Sequence, residues 1–222
     1  MKNRHLYDAD YFENGIATGK SCYMNYRWMP ELTIKMTHCL IKHLQLKESD
    51  RVLDYGCAKG FMVKAFRILD IPAFGCDISP YAIDNSDADI RHFCTLIKSS
   101  LEPIPFDFNF DWIITKDVLE HMEEKDLDRF LECSLKKTNR AFHVIPLADK
   151  YNNFIVPEYN KDITHVMVKD VSWWKKKFES FGWTNSSFSY HVRGIKDIWV
   201  ERYKYGNGFF LLEKKKRKGK TA

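Results

Sequence analysis

The 222-residue sequence lacks any apolar run that approaches the ~18 residues of a membrane-spanning helix. Its first fifteen residues, MKNRHLYDADYFENG, also lack the apolar core of a secretory signal peptide. The six cysteines lie far apart and form no CxxC pair, which argues against a zinc site and against a disulfide framework. These absences predict a cytoplasmic protein with reduced thiols and no membrane span.

Linker-like composition and internal repeats are absent as well. With 10 glycines and 7 prolines spread along the chain, no Pro/Gly/Ser-rich stretch divides it. We therefore expect one folded domain over residues 31–213. An aromatic-rich segment, residues 1–30, precedes it as a strap or lid.

Acidic residues are missing from the C-terminal run KKKRKGKTA, residues 214–222, which contains six lysines and arginines. Because the whole chain has a net charge of +5, the remaining residues sum to −1. The basic balance belongs to this run, which we expect to be a solvated, disordered tail. A nearly neutral body argues against tight binding of nucleic acid.

Strand-like and helix-like patterns alternate after residue 30. The strand candidates are RVLDY, PAFGCD, HFCTLI, DWIITK and RAFHVIPL. The helix candidates are ELTIKMTHCLIKHLQL, KGFMVKAFRIL, PYAIDNS, LDRFLECSLKK and VSWWKKKFESFG. This alternation predicts an α/β fold with a mainly parallel sheet and helices on both faces.

The first of these helices is expected to begin at Pro30, and Leu32, Met36, Leu40 and Leu44 have helical spacing along it. At the other end of the chain, the strand candidates NSSFSYHV and GFFLLEKK have no helix pattern between them. They predict an antiparallel hairpin, joined by a loop, at one edge of the sheet.

The stretch VLDYGCAKGF, residues 52–61, is an apolar strand that runs into a glycine-containing turn. It matches neither the phosphate loop GxxxxGK[ST] nor the dinucleotide turn GxGxxG. Asp54 at the strand end would repel a pyrophosphate and attract an ammonium group. Asp77, at the end of the second strand, can accept both hydroxyls of a ribose. A ligand with an ammonium group, a carboxylate and a ribose fits this pattern.

These residues resemble the class I S-adenosylmethionine-dependent methyltransferases. VLDYGCAKGF is similar to their first motif, D-x-G-x-G-x-G, and GCDIS to the acid after their second strand. LEPIPF and FDFNFDWIITKDVLEHM resemble their third and fourth strands. The resemblance implies a Rossmann-like sheet of seven strands and S-adenosylmethionine as the cofactor.

The resemblance also implies residue roles. Asp54 would orient the methionyl ammonium group, Asp77 would bind the ribose, and Ser100 stands where relatives carry an acid that contacts adenine. Ala58 replaces the family's middle glycine, which is tolerable if its φ stays negative. The full set of expected cofactor-binding residues is Asp54, Tyr55, Gly56, Cys57, Ala58, Gly60, Asp77, Ile78, Ser100, Leu101, Lys116 and Asp117.

Transfer of a methyl group to a hydroxyl requires a group that takes the proton. His121 follows the fourth strand and is the first candidate, and His165, in a segment expected to reach over the pocket, is the second. The alternative for His121 is a packing role, and His143, inside a strand, is expected in the core.

The aromatic segment has two interpretations, which are compatible. Its rings form a lid over the cofactor or the acceptor, or they form a strap packed on the sheet edge. The rings are Tyr11, Phe12, Tyr23, Tyr26 and Trp28. A segment of this kind more loosely resembles small bacterial and phage methyltransferases encoded beside surface-polysaccharide pathways. That resemblance implies a small-molecule acceptor, such as a hydroxyl of a sugar or metabolite.

Two other functions remain open from the sequence. Asp117, Glu120, His121 and His165 loosely resemble the E-x-x-E-H…H metal site of small-RNA terminal 2′-O-methyltransferases, although Asp117 departs from the glutamate. The other alternative is a protein that binds S-adenosylmethionine without catalysis. The small-molecule methyltransferase is the leading interpretation, and it includes no metal.

Overall fold

Seven strands form one sheet in the computed structural model, which describes residues 4–99 and 101–215. Their order is β3-β2-β1-β4-β5-β7-β6. The first five are parallel, whereas β7 pairs antiparallel with both β5 and β6. The strands are β1 (Val52–Tyr55), β2 (Ala73–Asp77), β3 (Cys94–Leu96), β4 (Trp112–Lys116), β5 (Arg140–Pro146), β6 (Trp183–Ser189) and β7 (Asn207–Lys214). The predicted Rossmann-like sheet with an antiparallel edge is confirmed.

Helices cover the central strands on both faces, so every residue of β1 is buried. One core cluster includes Phe130 and Trp174, and the other includes Leu40 and Phe66. The helices are α1 (Ala9–Glu13), α2 (Gly15–Thr18), α3 (Pro30–Leu44), α4 (Phe61–Ile68), α5 (Pro80–Asp84), α6 (Glu124–Lys137), α7 (Val171–Ser180) and α8 (Asp197–Arg202). None of the helices among the described residues is both long enough and apolar enough to cross a membrane.

Helix α3 begins at Pro30, as predicted, but its first turn does not reach the core. Leu32, the first residue with this spacing, is 56% exposed. Burial begins at Thr37 and continues through Leu40 and Leu44. Only the second half of the helix packs on the sheet, which is why the regular apolar spacing overstates the buried face.

The connection between β6 and β7 contains α8, and the prediction of a loop without a helix is therefore wrong. Six residues are too few to give a clear helical period in a sequence. The helix is fixed by tertiary contacts, because Val200 is buried and the ring of Trp199 lies 5.7 Å from that of Tyr159. Its N-cap, Lys196, has a left-handed backbone with φ 59°.

The aromatic segment contains a 3-10 helix, α1 and α2, and it is tied to the domain by hydrogen bonds. The Ser79 hydroxyl donates to the carbonyl of Tyr7 at 2.6 Å. The ammonium of Lys59 donates to Glu13 at 2.5 Å and to the carbonyl of Tyr26 at 2.9 Å. These bonds hold the segment against the turn that follows β1.

The predicted basic tail, residues 214–222, includes the end of the last strand. Lys214 is the last residue of β7, and its backbone N–H donates to the carbonyl of Asn139 at 2.9 Å. Residues 216–222 lie outside the described residues, and the disorder expected for them remains a prediction. The division into a segment over residues 1–30 and a domain over residues 31–213 is likewise still a prediction.

Candidate active site

A cavity lies at the carboxyl ends of β1, β2 and β4. Strand β1 pairs with both β2 and β4, so the order of connection reverses there, and ligands of open α/β sheets bind at such a point. The residues of the aromatic segment that line the cavity are Tyr7, Tyr11, Phe12 and Tyr23. The residues predicted for the site that line it are Tyr55, Gly56, Ala58, Asp77, Ile78, Asp117 and His121.

The remaining predicted residues are placed differently. Asp54, Cys57 and Gly60 are buried behind the cavity wall. Leu101 is 74% exposed, and its carbonyl accepts hydrogen bonds from Arg129. Lys116 and His165 do not line the cavity either, but each contacts a residue that does: Lys116 pairs with Asp117 at 2.7 Å, and the ring of His165 lies beside that of His121. Ser100 lies outside the described residues.

The turn after β1 has a left-handed backbone at Gly56, Ala58 and Gly60, with φ of 79°, 49° and 76°. A Cβ on Gly56 would lie 2.5 Å from a methyl of Val118, and one on Gly60 would lie 2.7 Å from the Cys94 sulfur. Glycine is therefore required at both positions by conformation and by space.

The expectation of a negative φ at Ala58 is wrong. A left-handed alanine costs roughly 1–2 kcal/mol, so the turn is held in place against this strain. A hydrogen bond from the Ala58 N–H to the Asp77 carboxylate at 2.8 Å opposes it. The turn therefore forms with alanine at this position, but at an energetic cost that glycine would avoid.

Asp77 lies at the end of β2, 9% exposed, and faces the cavity. One carboxylate oxygen accepts the Ser79 N–H and the other accepts the Ala58 N–H, each at 2.8 Å. Burial raises the pKa of this carboxyl, and the backbone hydrogen bonds oppose that rise. Each oxygen keeps a lone pair, so the carboxylate can accept two neighbouring hydroxyls, as a ribose presents them.

Asp54 is 4% exposed, within β1. Burial raises the pKa of its carboxyl to about 8; the charge of Asp77 adds to the shift and Lys116 opposes it. At pH 7 the buried carboxyl therefore carries a proton, which a nearby positive charge would displace.

Asp117 follows β4 and has a left-handed backbone with φ 56°. Its carboxylate forms ion pairs with Lys116, at 2.7 Å, and with Lys196. Burial alone would raise the pKa of Asp117, but the two lysines outweigh burial and hold that pKa below its usual range. The group is therefore a fixed carboxylate and not a proton acceptor.

Lys196 is a site residue that the sequence analysis missed. Its side chain is 5% exposed and also donates to the Asn207 side chain at 2.7 Å. Its position in the connection between β6 and β7 gave no signal, because that connection was expected to be a loop at the sheet edge.

The two candidate histidines lie together, with ring centroids 4.5 Å apart. His121 lines the cavity, and burial, with a contribution from His165, lowers the pKa of its ring to about 4. Burial lowers the pKa of His165 as well. Both rings are therefore neutral at pH 7 and carry one free lone pair each. His143, in contrast, is 1% exposed in the core, as expected.

Each ring is oriented by a hydrogen bond at Nδ1. The His165 Nδ1 lies 2.6 Å from the carbonyl of Tyr159, which can only accept, so this nitrogen carries the hydrogen. The His121 Nδ1 lies 2.8 Å from the Thr164 hydroxyl, which itself donates to Asp162 at 2.6 Å. His121 must therefore donate through Nδ1. In both neutral rings the lone pair is at Nε2.

Glu120 stands beside this pair, 0% exposed, and neither of its carboxylate oxygens has a hydrogen-bond partner among the described residues. Its Oε1 lies 4.0 Å from Nε2 of His165. Burial raises the pKa of Glu120, and the charge of Asp117 adds to the shift. The sequence placed Glu120 next to His121 but gave no sign of its complete burial.

Comparison with known proteins agrees with this geometry. Residues 52–138 match a family described as a methyltransferase domain. No curated protein matches the chain. A chain of the complex between the Haloferax volcanii Trm112 methyltransferase activator and a methyltransferase superposes with a TM-score of 0.64 at 16% identity, over 84% of this chain and 91% of that one.

Two other solved structures have the same fold. An S-adenosylmethionine-dependent methyltransferase from Clostridium acetobutylicum superposes with a TM-score of 0.62 at 10% identity, over 82% of this chain and 92% of that one. The [4+2]-cyclase SpnF superposes with a TM-score of 0.59 at 15% identity, over 82% of this chain and 80% of that one. Likeness at such identities concerns the fold, which supports more than one chemistry.

The strand order, the acids Asp54 within β1 and Asp77 at the end of β2, and the match over residues 52–138 all agree with a methyltransferase domain. The chain therefore has the fold of the class I S-adenosylmethionine-dependent methyltransferases, and the methyltransferase domain matched over residues 52–138 implies S-adenosylmethionine as the cofactor.

Proposed function

We propose that the enzyme transfers the methyl group to a hydroxyl of a small molecule, a sugar or another metabolite. The observation that carries this proposal is the cavity itself: aromatic rings of residues 7–23 form part of its wall, and polar groups, among them Asp77, Asp117 and His121, converge on it. Concave, largely apolar sites with a small number of polar groups are typical for small ligands.

The acids at the strand ends fit the cofactor. We propose that Asp54 orients its ammonium group and that Asp77 binds its ribose through the two free lone pairs. Lys116 and Asp117, at the end of β4, would then border the reacting end, while Gly56, Ala58 and Gly60 bring the backbone close to the methionine part.

S-adenosylmethionine supplies a methyl group that is already activated on a sulfonium, so the protein mainly has to position the acceptor and deal with its proton. His121 faces the cavity with an oriented ring whose free lone pair is at Nε2, and His165 lies behind it. We propose that these two histidines promote loss of the proton from the acceptor hydroxyl. Asp117 is excluded from that task because two lysines keep it ionised and paired.

The charge distribution supports a small acceptor over RNA. Outside residues 214–222 the chain has a net charge of −1, whereas binding along an RNA backbone is dominated by lysine and arginine contacts to phosphates.

The experiment is a screen of acceptors with the methyl-labelled cofactor and the full-length chain. Sugars, nucleotide sugars and small alcohols form one panel, and short RNA oligonucleotides form the other. Label on a hydroxyl of the first panel is the expected result. Label on RNA alone would contradict the proposal.

If Asp54 binds the ammonium group, binding of the cofactor and of S-adenosylhomocysteine depends on pH. The buried carboxyl has a pKa of about 8 in the free protein, and the cofactor's positive charge favours its ionised form. Binding of S-adenosylhomocysteine at pH 7 should therefore release a proton, and affinity should rise with pH up to about 8. Calorimetry in buffers of different ionisation enthalpy measures this. Asp54→Asn should abolish the release, and a wild-type protein that releases no proton would exclude the contact.

A further inference from the structure

Within residues 4–99 and 101–215, Glu120 is a buried acid whose two carboxylate oxygens have no hydrogen-bond partner. This is rare, because an isolated buried carboxylate is strongly destabilising. The neighbouring Asp117, in contrast, has two lysine partners. The side chains of His121 and His165 lie beside the Glu120 carboxyl.

Three donor atoms converge there. Glu120, His121 and His165 each offer one ligand atom, and the three atoms lie within 4.8 Å of one another. Metal–ligand distances of about 2.0–2.2 Å would hold such donors roughly 3.3 Å apart, so the donors would need to approach by up to about 1.5 Å. We call these residues the Glu–His–His cluster.

The hydrogen bonds around the cluster are those of a metal site. Metal-binding histidines almost always donate their second ring N–H to a carbonyl, a carboxylate or water, which aims the other nitrogen at the ion. His165 donates to the carbonyl of Tyr159, and His121 donates to Thr164, which is held by Asp162. Both Nε2 lone pairs are thereby left for a cation.

We propose that Glu120, His121 and His165 form a binding site for a divalent first-row transition cation. Two imidazoles and one carboxylate suit Zn²⁺, Mn²⁺ or Fe²⁺ better than Mg²⁺ or Ca²⁺, which prefer oxygen ligands alone. Three protein ligands leave a coordination position open, as in catalytic sites. Asp117 is not a ligand, because Lys116 and Lys196 occupy its oxygens.

This inference rests on the proposed function and refines the role of the two histidines. A hydroxyl bound to the cation has a lowered pKa and loses its proton to solvent water. Its oxygen then forms the bond to the methyl carbon. The bond from that carbon to sulfur breaks, and sulfur keeps the electron pair. The histidines hold the cation and do not themselves accept the proton.

The test measures metal binding directly, without an acceptor. The full-length chain is freed of metal with a chelator and titrated with Co²⁺, whose visible absorption reports nitrogen and oxygen ligands, and with Zn²⁺ by calorimetry. We expect one ion per chain. Glu120→Gln and His165→Ala should weaken binding ~100-fold or more, since loss of a ligand exceeds the 10–100-fold effect of an outer-shell partner.

Matched controls separate ligation from folding. Glu124→Gln changes a glutamate that pairs with Lys177 at the surface, and His38→Ala changes an exposed histidine. Both should bind the ion like the wild type. A saturating ion should raise the melting temperature of the wild type but not of Glu120→Gln, because only a protein that binds the ion is stabilised by it.

The two proposals fail separately. Methylation of a small hydroxyl acceptor by a protein that binds no ion, or binds it equally in all variants, would overturn the metal site and leave the proposed function standing. Stoichiometric binding that Glu120→Gln abolishes, together with methylation of RNA alone, would support the metal site and overturn the small acceptor.

Discussion

Replacement of His121 by asparagine is expected to lower turnover by ~10²–10⁴-fold while the affinity for S-adenosylhomocysteine stays nearly unchanged. An asparagine amide can still donate to Thr164 from the place of Nδ1, so the neighbouring hydrogen bonds survive. Only the nitrogen Nε2 is removed. His121 follows β4 and Asp77 ends β2, so loss of the ring should affect the acceptor and leave the hydrogen bonds of Asp77 in place. Initial rates and calorimetry on the same preparations measure the two effects.

The control for this variant is His38→Ala, a change at an exposed position of α3 that should leave turnover intact. Loss of turnover is expected whether His121 holds a cation or takes the proton itself. This variant therefore tests whether His121 takes part in the reaction, and the ion titrations test whether it does so by binding a cation. A His121→Asn enzyme with wild-type turnover would remove the histidine from the reaction.

Much of the fold could be predicted because the central strands are buried on both faces. An apolar run such as Trp112–Lys116, followed by a helix pattern, determines its own strand and its parallel pairing. Elements held by tertiary contacts could not be predicted in this way. Helix α8 is six residues long and depends on Val200 and Trp199 packing against distant elements, so its own sequence shows no period.

The same difference, between what the local sequence predicts and what tertiary contacts determine, applies to the residues of the candidate site. Asp77 ends β2 and His121 lies five residues after β4, and these sequence positions sufficed to place them at the cavity. The left-handed backbone of Ala58 could not be predicted, because the conformation of a turn depends on what holds it, here the hydrogen bond to Asp77. The burial of Glu120 and the ion pair between Lys196 and Asp117 bring together segments that are far apart in the chain, so the local sequence does not predict them.

Replacement of Asp77 by alanine is expected to weaken binding of S-adenosylhomocysteine by ~10²–10⁴-fold. Two hydroxyls would each lose a hydrogen bond to a charged acceptor, worth ~1.5–3 kcal/mol apiece, and each 1.4 kcal/mol corresponds to a factor of ten. Loss of the bond to the Ala58 N–H adds to the effect, because the left-handed turn then lacks its support. Calorimetry at a fixed pH measures the change.

Analogues of the ligand separate the ribose contact from a loosened turn. If Asp77 binds the ribose, the wild type should bind the 2′-deoxy and 3′-deoxy forms of S-adenosylhomocysteine more weakly than the parent, whereas Asp77→Ala should bind all three alike. Asp77→Asn keeps one acceptor oxygen and should fall between them. Circular dichroism checks that each variant is folded. A folded Asp77→Ala protein that still discriminates against the deoxy forms would mean that another group binds the ribose, and that Asp77 only supports the turn through Ala58 and Ser79.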